Sequence, residues 1–162
     1  MYQLTTHAAV DAIPADEWNA LAGSDLPFMR HEFLAAMEHH GCVGERFGWI
    51  PRHLALRDDQ DRLLAAAPCY LKFNSYGEFV FDWAWADAYQ RAGRRYYPKL
   101  VIASPYTPAT GRRILCGDSP RRAEYAARPD TIWDILEAGA RRAREVAGET
   151  MEDVRAAMGI KY

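Results

Sequence analysis

Two pairs of side chains are suited by type and spacing to moving a proton, Glu78 with Asp82 and Lys72 with Tyr70. Such groups work when burial or a neighbour brings the pKa near the working pH and the proton lies within hydrogen-bond reach. Each pair equally fits polar groups satisfying a turn, and residue types do not separate the two readings. Both pairs fall in one stretch, Pro68 to Gly111, which holds Trp83, Trp85, Tyr70, Tyr76, Tyr89, Tyr96, Tyr97 and Tyr106. Lys72, Ser75, Glu78, Asp82, Asp87, Lys99 and Thr107 are interleaved among them. Aromatic rings with a polar tip bury well but need a partner for that tip. A core built for stability alone uses more Leu, Ile and Val and takes on fewer polar obligations. The stretch reads as the wall of a polar, aromatic cleft, or else as a sheet and helix packed through polar-tipped side chains without a ligand.

Other chemistries lack their signatures. The chain has no G-x-S-x-G, G-x-x-x-x-G-K-[ST] or G-x-G-x-x-G motif. It also lacks [RQ]-x-x-G-x-[GA], the loop whose successive N–H groups cradle a CoA pyrophosphate, which counts against ordinary CoA binding. Cys42, Cys69 and Cys116 are far apart and form no C-x-x-C pair, so they suggest neither zinc nor redox work but a reducing compartment. Cys69 sits in an apolar run and reads as a small buried residue. His39 and His40 have no visible third ligand, so no metal is expected. Formal net charge is −2, from 20 basic and 22 acidic residues, which gives no general attraction to nucleic acid or an anionic membrane. Basic residues cluster at Arg91, Arg94 and Arg95, at Arg112 and Arg113, and at Arg121 and Arg122, a pattern usual for solvated faces.

The elements that must position these residues follow from periodicity. At 162 residues, 49% hydrophobic and 26% charged, the chain suits one globular domain spanning 1–162. The N-terminus shows no basic segment followed by an apolar one, and no apolar run approaches the roughly 20 residues that span a bilayer. The expectation is a soluble, cytoplasmic protein. A first short strand is expected over Tyr2 to Thr6, and helices over Ala15 to Ala22 and His31 to His40, with Trp18 and Leu21, then Phe33, Leu34 and Met37, facing inward. RHLALRD from Arg52 reads as a strand, Asp58 to Asp61 as a hairpin turn, and Arg62 to Phe73 as one long returning strand. Pro68 within it implies an edge position or a bulge. Glu78 to Phe81 resumes as a short strand, Trp83 to Ala92 is helical with Trp85 and Tyr89 one turn apart, and Gly93 closes it. YPKLVIA, Tyr97 to Ala103, is the clearest β-rich run and reads as a central strand. SPYTPATG is a loop, Arg113 to Cys116 a last strand, and helices are expected over Arg121 to Ala127, Thr131 to Ala147 and Met151 to Met158.

Three segments together resemble the FemAB-like bacterial proteins of the N-acyltransferase (GNAT) superfamily: HEFLAAME at His31 to Glu38, the WIPRHLALRD hairpin, and YLKFNSYGEFVFDWAWADAYQRAGRRYYPKLVIASPYTPATG. The resemblance runs from about Ile13 to Leu115, and SYGEFVFDWAWADAY and YYPKL are its most specific blocks. It implies an α+β fold of GNAT type: a twisted, mostly antiparallel sheet with a bulge or splay and helices on both faces. It also implies transfer of an acyl or aminoacyl group to an amine, carried by a small molecule or a peptide, with acyl-CoA or aminoacyl-tRNA as donor and no metal. Carried over position by position, Glu78 and Asp82 become candidate catalytic residues. Tyr70, Lys72, Ser75, Tyr76, Phe79, Trp83, Tyr89, Tyr96, Tyr97, Lys99 and Thr107 become candidate substrate-binding residues. Lysines at 72 and 99 suit a carboxylate or phosphate, aromatic rings would stack on or shape a substrate, and either carboxylate would take the amine's proton.

The chain departs from the family in length. Members are longer and carry a second GNAT-like half that completes the donor site, whereas the tail GETMEDVRAAMGIKY does not read as the next strand. The expectation is therefore an incomplete half that pairs with a second copy or a missing half. The alternative is a non-catalytic binding or scaffold module that keeps only the acceptor cleft.

Overall fold

A computed structural model of the chain describes residues 2–117 and, beyond them, the helical positions 127, 134, 137, 138 and 141. The helices expected over 121–127, 131–147 and 151–158 otherwise lie outside the described residues. The chain divides into two compact units, one made of residues 1–82 and 97–117, the other of 83–96 and 118–162. Helices and antiparallel strands together give the α+β class.

In the first unit the elements are β1 (Gln3–His7), α1 (Ala15–Ala22), α2 (His31–His39), β2 (Trp49–Pro51), β3 (His53–Arg57), β4 (Leu63–Ala67), β5 (Cys69–Lys72), β6 (Lys99–Ile102) and β7 (Leu115–Cys116). They form a four-stranded sheet in the order β1-β3-β4-β7 and a three-stranded sheet in the order β2-β5-β6. Every pairing is antiparallel.

The helices sit where sequence places them for identifiable reasons. Pro14 precedes α1 with the fixed φ that suits a helix start, and Asp16 and Glu17 favour its positive end. Gly23, at φ 72°, ends it in a conformation that side chains disfavour. Helix α2 is capped from α1: the Asn19 side chain accepts from the His31 N–H at 3.0 Å and donates to the Glu32 carboxylate at 2.8 Å. Trp18, Ala22, Met29, Leu34 and Ala35 then bury against a row of small residues on the sheet, Ala55 paired with Ala66, and Leu115 beyond it. Alanines there leave room for the helices to approach closely. Full burial of a side chain such as Leu34 or Met29 is worth about 1.5–3 kcal/mol.

Three strand assignments differ from expectation. The long returning strand is two strands in two sheets: β4 pairs β3 and β7, while β5 pairs β2 and β6. Pro68 is neither an edge residue nor a bulge but the fully buried seam between them, where its missing N–H interrupts no ladder and its carbonyl accepts from Ala103 N at 3.2 Å. Glu78 to Phe81 is irregular, because Gly77 at φ 77° and Phe79 at φ 57° turn the backbone through left-handed conformations. β6 is an outer strand among the described residues rather than a central one, and Leu100 on it is 68% exposed. Strand propensity reports a fit to a pleated, half-buried surface, not a position in the sheet.

In the second unit, α3 (Trp83–Arg91) carries an Asp87–Arg91 ion pair at 2.9 Å and ends at Gly93, φ 70°. Trp85 and Tyr89 stand one turn apart on it, as expected, and the Tyr89 ring meets Tyr96 edge-on at 5.3 Å. Among the described residues no helix is long and apolar enough to cross a membrane.

Trp18 donates its indole N–H to the Met29 carbonyl at 2.8 Å inside the core. Trp18→Phe keeps most of the ring area but strands that carbonyl, and is expected to cost about 1–3 kcal/mol. Urea unfolding checks this: the midpoint falls while the slope stays unchanged.

Candidate functional site

Directly opposed residues of an antiparallel pair share a face, so Trp49, Lys72 and Lys99 form one row across β2, β5 and β6. Tyr70 lies on the same face two residues from Lys72. The segment 73–82 folds back over this row and brings Ser75, Glu78 and Asp82 to the two lysines.

The Lys99 ammonium donates to Glu78 Oε2 at 2.8 Å, to Asp82 Oδ2 at 2.5 Å and to Ser75 Oγ at 2.9 Å. Ser75 Oγ in turn meets the Tyr97 hydroxyl at 2.7 Å. Lys72, which is 0% exposed, donates to the Tyr76 carbonyl at 2.9 Å and to Asn74 Oδ1 at 3.4 Å. Its ammonium stands 3.8 Å from the centre of the Trp49 ring, a cation–π contact, and 3.8 Å from Glu78 Oε1. The carboxylates are buried, at 4% exposure for Glu78 and 9% for Asp82. Glu78 Oε1 has no hydrogen-bond partner.

The electrostatics follow from this geometry. Burial pushes the Lys72 ammonium down to about 8; Glu78 opposes the fall and Lys99 adds to it. Burial also pulls Lys99 down, but the carboxylates of Asp82 and Glu78 bonded to it outweigh that effect, and its pKa ends above the usual lysine value. The two lysines therefore differ in kind, one held as a firm cation and the other near its titration point at mildly alkaline pH.

The covering segment is shaped to lie close. Tyr76 presents its carbonyl to both Lys72 and the Trp49 indole N–H, the latter at 3.1 Å. At Gly77 a Cβ would lie 2.5 Å from the Tyr106 ring, so only glycine fits both the φ of 77° and that ring. Tyr106 is anchored by its hydroxyl on the Cys42 carbonyl at 3.0 Å.

Of the residues singled out from sequence, Lys72, Ser75, Glu78, Asp82, Tyr97 and Lys99 come together in this cluster. Tyr76 contributes its backbone only, its side chain being 70% exposed, and Phe79 is exposed beside it. Tyr70 packs edge-on against Trp49 and His53 at 5.2 Å each, with its hydroxyl buried and without a hydrogen-bond partner, and burial together with the Glu38 carboxylate raises its pKa. Thr107 lines a different cavity of about 210 Å³, walled by Leu26, Pro27, Phe28, Met29 and Arg113 among others. Trp83, Tyr89 and Tyr96 belong to the second unit. Sequence reading missed Trp49, Asn74 and the buried pair in which His53 Nε2 meets Glu38 Oε1 at 2.6 Å. A tryptophan directly after Gly48 and opposite a lysine in register was the available signal for the first. His39, considered for metal, pairs with Asp11 at 2.5 Å, and no group of three ligating side chains is found among the described residues.

An α+β chain carrying a buried amine–carboxylate cluster is the class that fold and site define. Residues 9–144 match the FemAB-like family, described as peptidoglycan biosynthesis/recognition, and the chain belongs to that family. Short matches also occur to tryptophan–tRNA ligases. The ligase of Lactococcus lactis is 45% identical over 42 residues, that of Streptococcus mutans 50% and that of Streptococcus pneumoniae 43% over the same length. Each match covers 26% of this chain and 12% of the ligase, so the chain spans about an eighth of the length of these curated relatives. No solved structure matches the chain.

Gly77→Ala is expected to destabilise the protein by about 1–3 kcal/mol through a strained backbone and contact with the Tyr106 ring. Adding Tyr106→Ala removes the contact but not the strain, so a double-mutant cycle in urea should show a favourable coupling between the two changes. For Lys72, the unfolded chain keeps the ordinary pKa of 10.5, so between about pH 8 and 10.5 it binds more protons than the folded chain. The contribution of Lys72 to stability then rises with pH across that window and is flat below it. Unfolding of wild type and Lys72→Met from pH 6 to 10.5 reads this out, since groups common to both largely cancel. A difference that falls with pH contradicts the assignment.

Proposed function

We propose that this chain is an acyl- or aminoacyltransferase of FemAB-like type, acting on an amine through the Lys72–Glu78–Asp82–Lys99 cluster. The observation that carries the reading is the Glu78 carboxylate, buried, bonded to Lys99 through one oxygen and without a hydrogen-bond partner on the other. Family membership supplies the chemical setting.

In this reading Glu78 or Asp82 takes a proton from the acceptor ammonium, and the neutral amine attacks the acyl carbonyl of the donor. The C–N bond forms as the thioester of an acyl-CoA or the ester of an aminoacyl-tRNA breaks, and the leaving thiolate or alkoxide takes up the proton that the carboxyl holds, becoming the thiol or hydroxyl. Lys99 stabilises the carboxylates as anions until the acceptor arrives, and Lys72 fixes the covering segment through the Tyr76 carbonyl. A GNAT-like arrangement is part of the proposal, and the parting of β4 from β5 at Pro68 supports it. The missing pyrophosphate loop counts against ordinary CoA binding and favours the binding module, so the transferase reading requires a donor site completed by a second copy or a second half. The 42 residues shared with the ligases, 12% of those enzymes, support no ligase activity here.

A second observation favours the alternative of a binding module: both carboxylates are already paired with Lys99. Incubating the chain with acyl-CoAs or aminoacyl-tRNA and a panel of primary amines, with product followed by mass spectrometry, separates the two. The transferase reading expects turnover that drops about 10²–10⁴-fold in Glu78→Gln or Asp82→Asn. Amine binding without turnover under every donor favours the module instead.

A further inference from the structure

We infer that the oxygen shell around the Lys99 ammonium is a seat for the primary ammonium group of an incoming ligand, which enters by displacing Lys99. The inference rests on reading this cluster as the amine-binding site, and it adds that the resting protein blocks that site with its own side chain.

The first argument is stoichiometric. A primary ammonium has three N–H donors, and here three oxygens, on Ser75, Glu78 and Asp82, surround one nitrogen at 2.9, 2.8 and 2.5 Å. All three belong to the single covering segment, while the nitrogen arrives from another element, β6. The segment therefore holds the ammonium as a guest rather than as part of itself.

A second, independent observation is the unspent acceptor. Glu78 Oε1 is buried and has no hydrogen-bond partner, so the shell offers more acceptor capacity than the tethered Lys99 uses. The Lys72 ammonium stands 3.8 Å from that oxygen but directs its own bonds to the Tyr76 carbonyl and Asn74. If Lys99 leaves, Glu78 Oε2 loses the ammonium bonded to it, and a guest cation restores that bond.

Lys99 is also the lysine placed to leave. It lies on a strand that is outermost among the described residues and its side chain is 17% exposed, against 0% for Lys72. The seat selects for N–H donors: an alkylammonium fits it, whereas tetramethylammonium carries the same charge and no donor.

The test is thermal unfolding of the full chain and of Lys99→Ala at constant ionic strength, with n-butylammonium, ethylammonium or tetramethylammonium chloride. A ligand that binds only the folded state raises the melting point by mass action. Lys99→Ala is expected to melt several degrees below wild type and to regain at least half of the loss with the primary amines but not with tetramethylammonium. Wild type, already self-occupied, should need at least tenfold more amine for an equal shift. If Lys99→Ala does not fold, Lys99→Met, which keeps the stem and drops the charge, is measured in its place. Equal responses to primary and quaternary cations, or none, overturn the seat, as does a wild-type response as sensitive as the variant's. Because no donor is present, a rescued variant alongside absent turnover would sink the transferase reading while leaving the seat standing.

Discussion

Lys72 places an ammonium on the inner face of β5 with no exposed surface, and much of the first unit is arranged around keeping it there. A buried cation is tolerated only with partners that replace water. The Tyr76 carbonyl, Asn74 and the Trp49 ring supply them, and each demands something of the chain around it. Tyr76 reaches inward because Gly77 can adopt a left-handed backbone beneath the Tyr106 ring. Asn74 stays in place by accepting from Tyr76 N at 3.0 Å, which closes the turn. Trp49 is fixed opposite Lys72 by strand register.

The same enclosure sets up the contrast with Lys99. Two cations and two carboxylates share one buried region, and an apolar cluster of equal volume would often be at least as stable. Retaining four charges there suits chemistry better than stability. The two lysines are held differently: Lys72 donates to the Tyr76 carbonyl and Asn74, with no exposed surface, while Lys99 donates to the side chains of Ser75, Glu78 and Asp82 and is partly exposed.

Much of this was legible in the residues, for identifiable reasons. α1 and α2 follow from Pro14, Gly23, Gly41 and an apolar stripe, signals that act within one helical turn. The grouping of Lys72, Ser75, Glu78, Asp82, Tyr97 and Lys99 was anticipated as membership of one polar, aromatic stretch, and the structure brings those six together. Other parts were not legible because they depend on partners distant in sequence. Composition cannot tell whether β6 has a neighbour on one side or two, since KLVI serves either place. Nor can it separate Thr107, in a cavity of its own, from the cluster that its sequence neighbours Tyr97 and Lys99 join. Pro68 carried a real signal, a missing donor, but that signal fits an edge, a bulge or a seam equally well. The Glu38–His53 pair joins a helix to a strand, and no local pattern announces such a match.

The seam at Pro68 has a consequence for how the unit comes apart. β4 lies inside one sheet and β5 inside the other, and the two strands are consecutive, separated by a single residue. Neither sheet can lose its interior strand without tugging on the interior strand of its neighbour, so the two melt as one cooperative block rather than as separate layers. Local opening is left to what lies outside that shared backbone, the covering segment and the outer strands β1, β2, β6 and β7, and of these the covering segment carries the carboxylates and β6 carries Lys99.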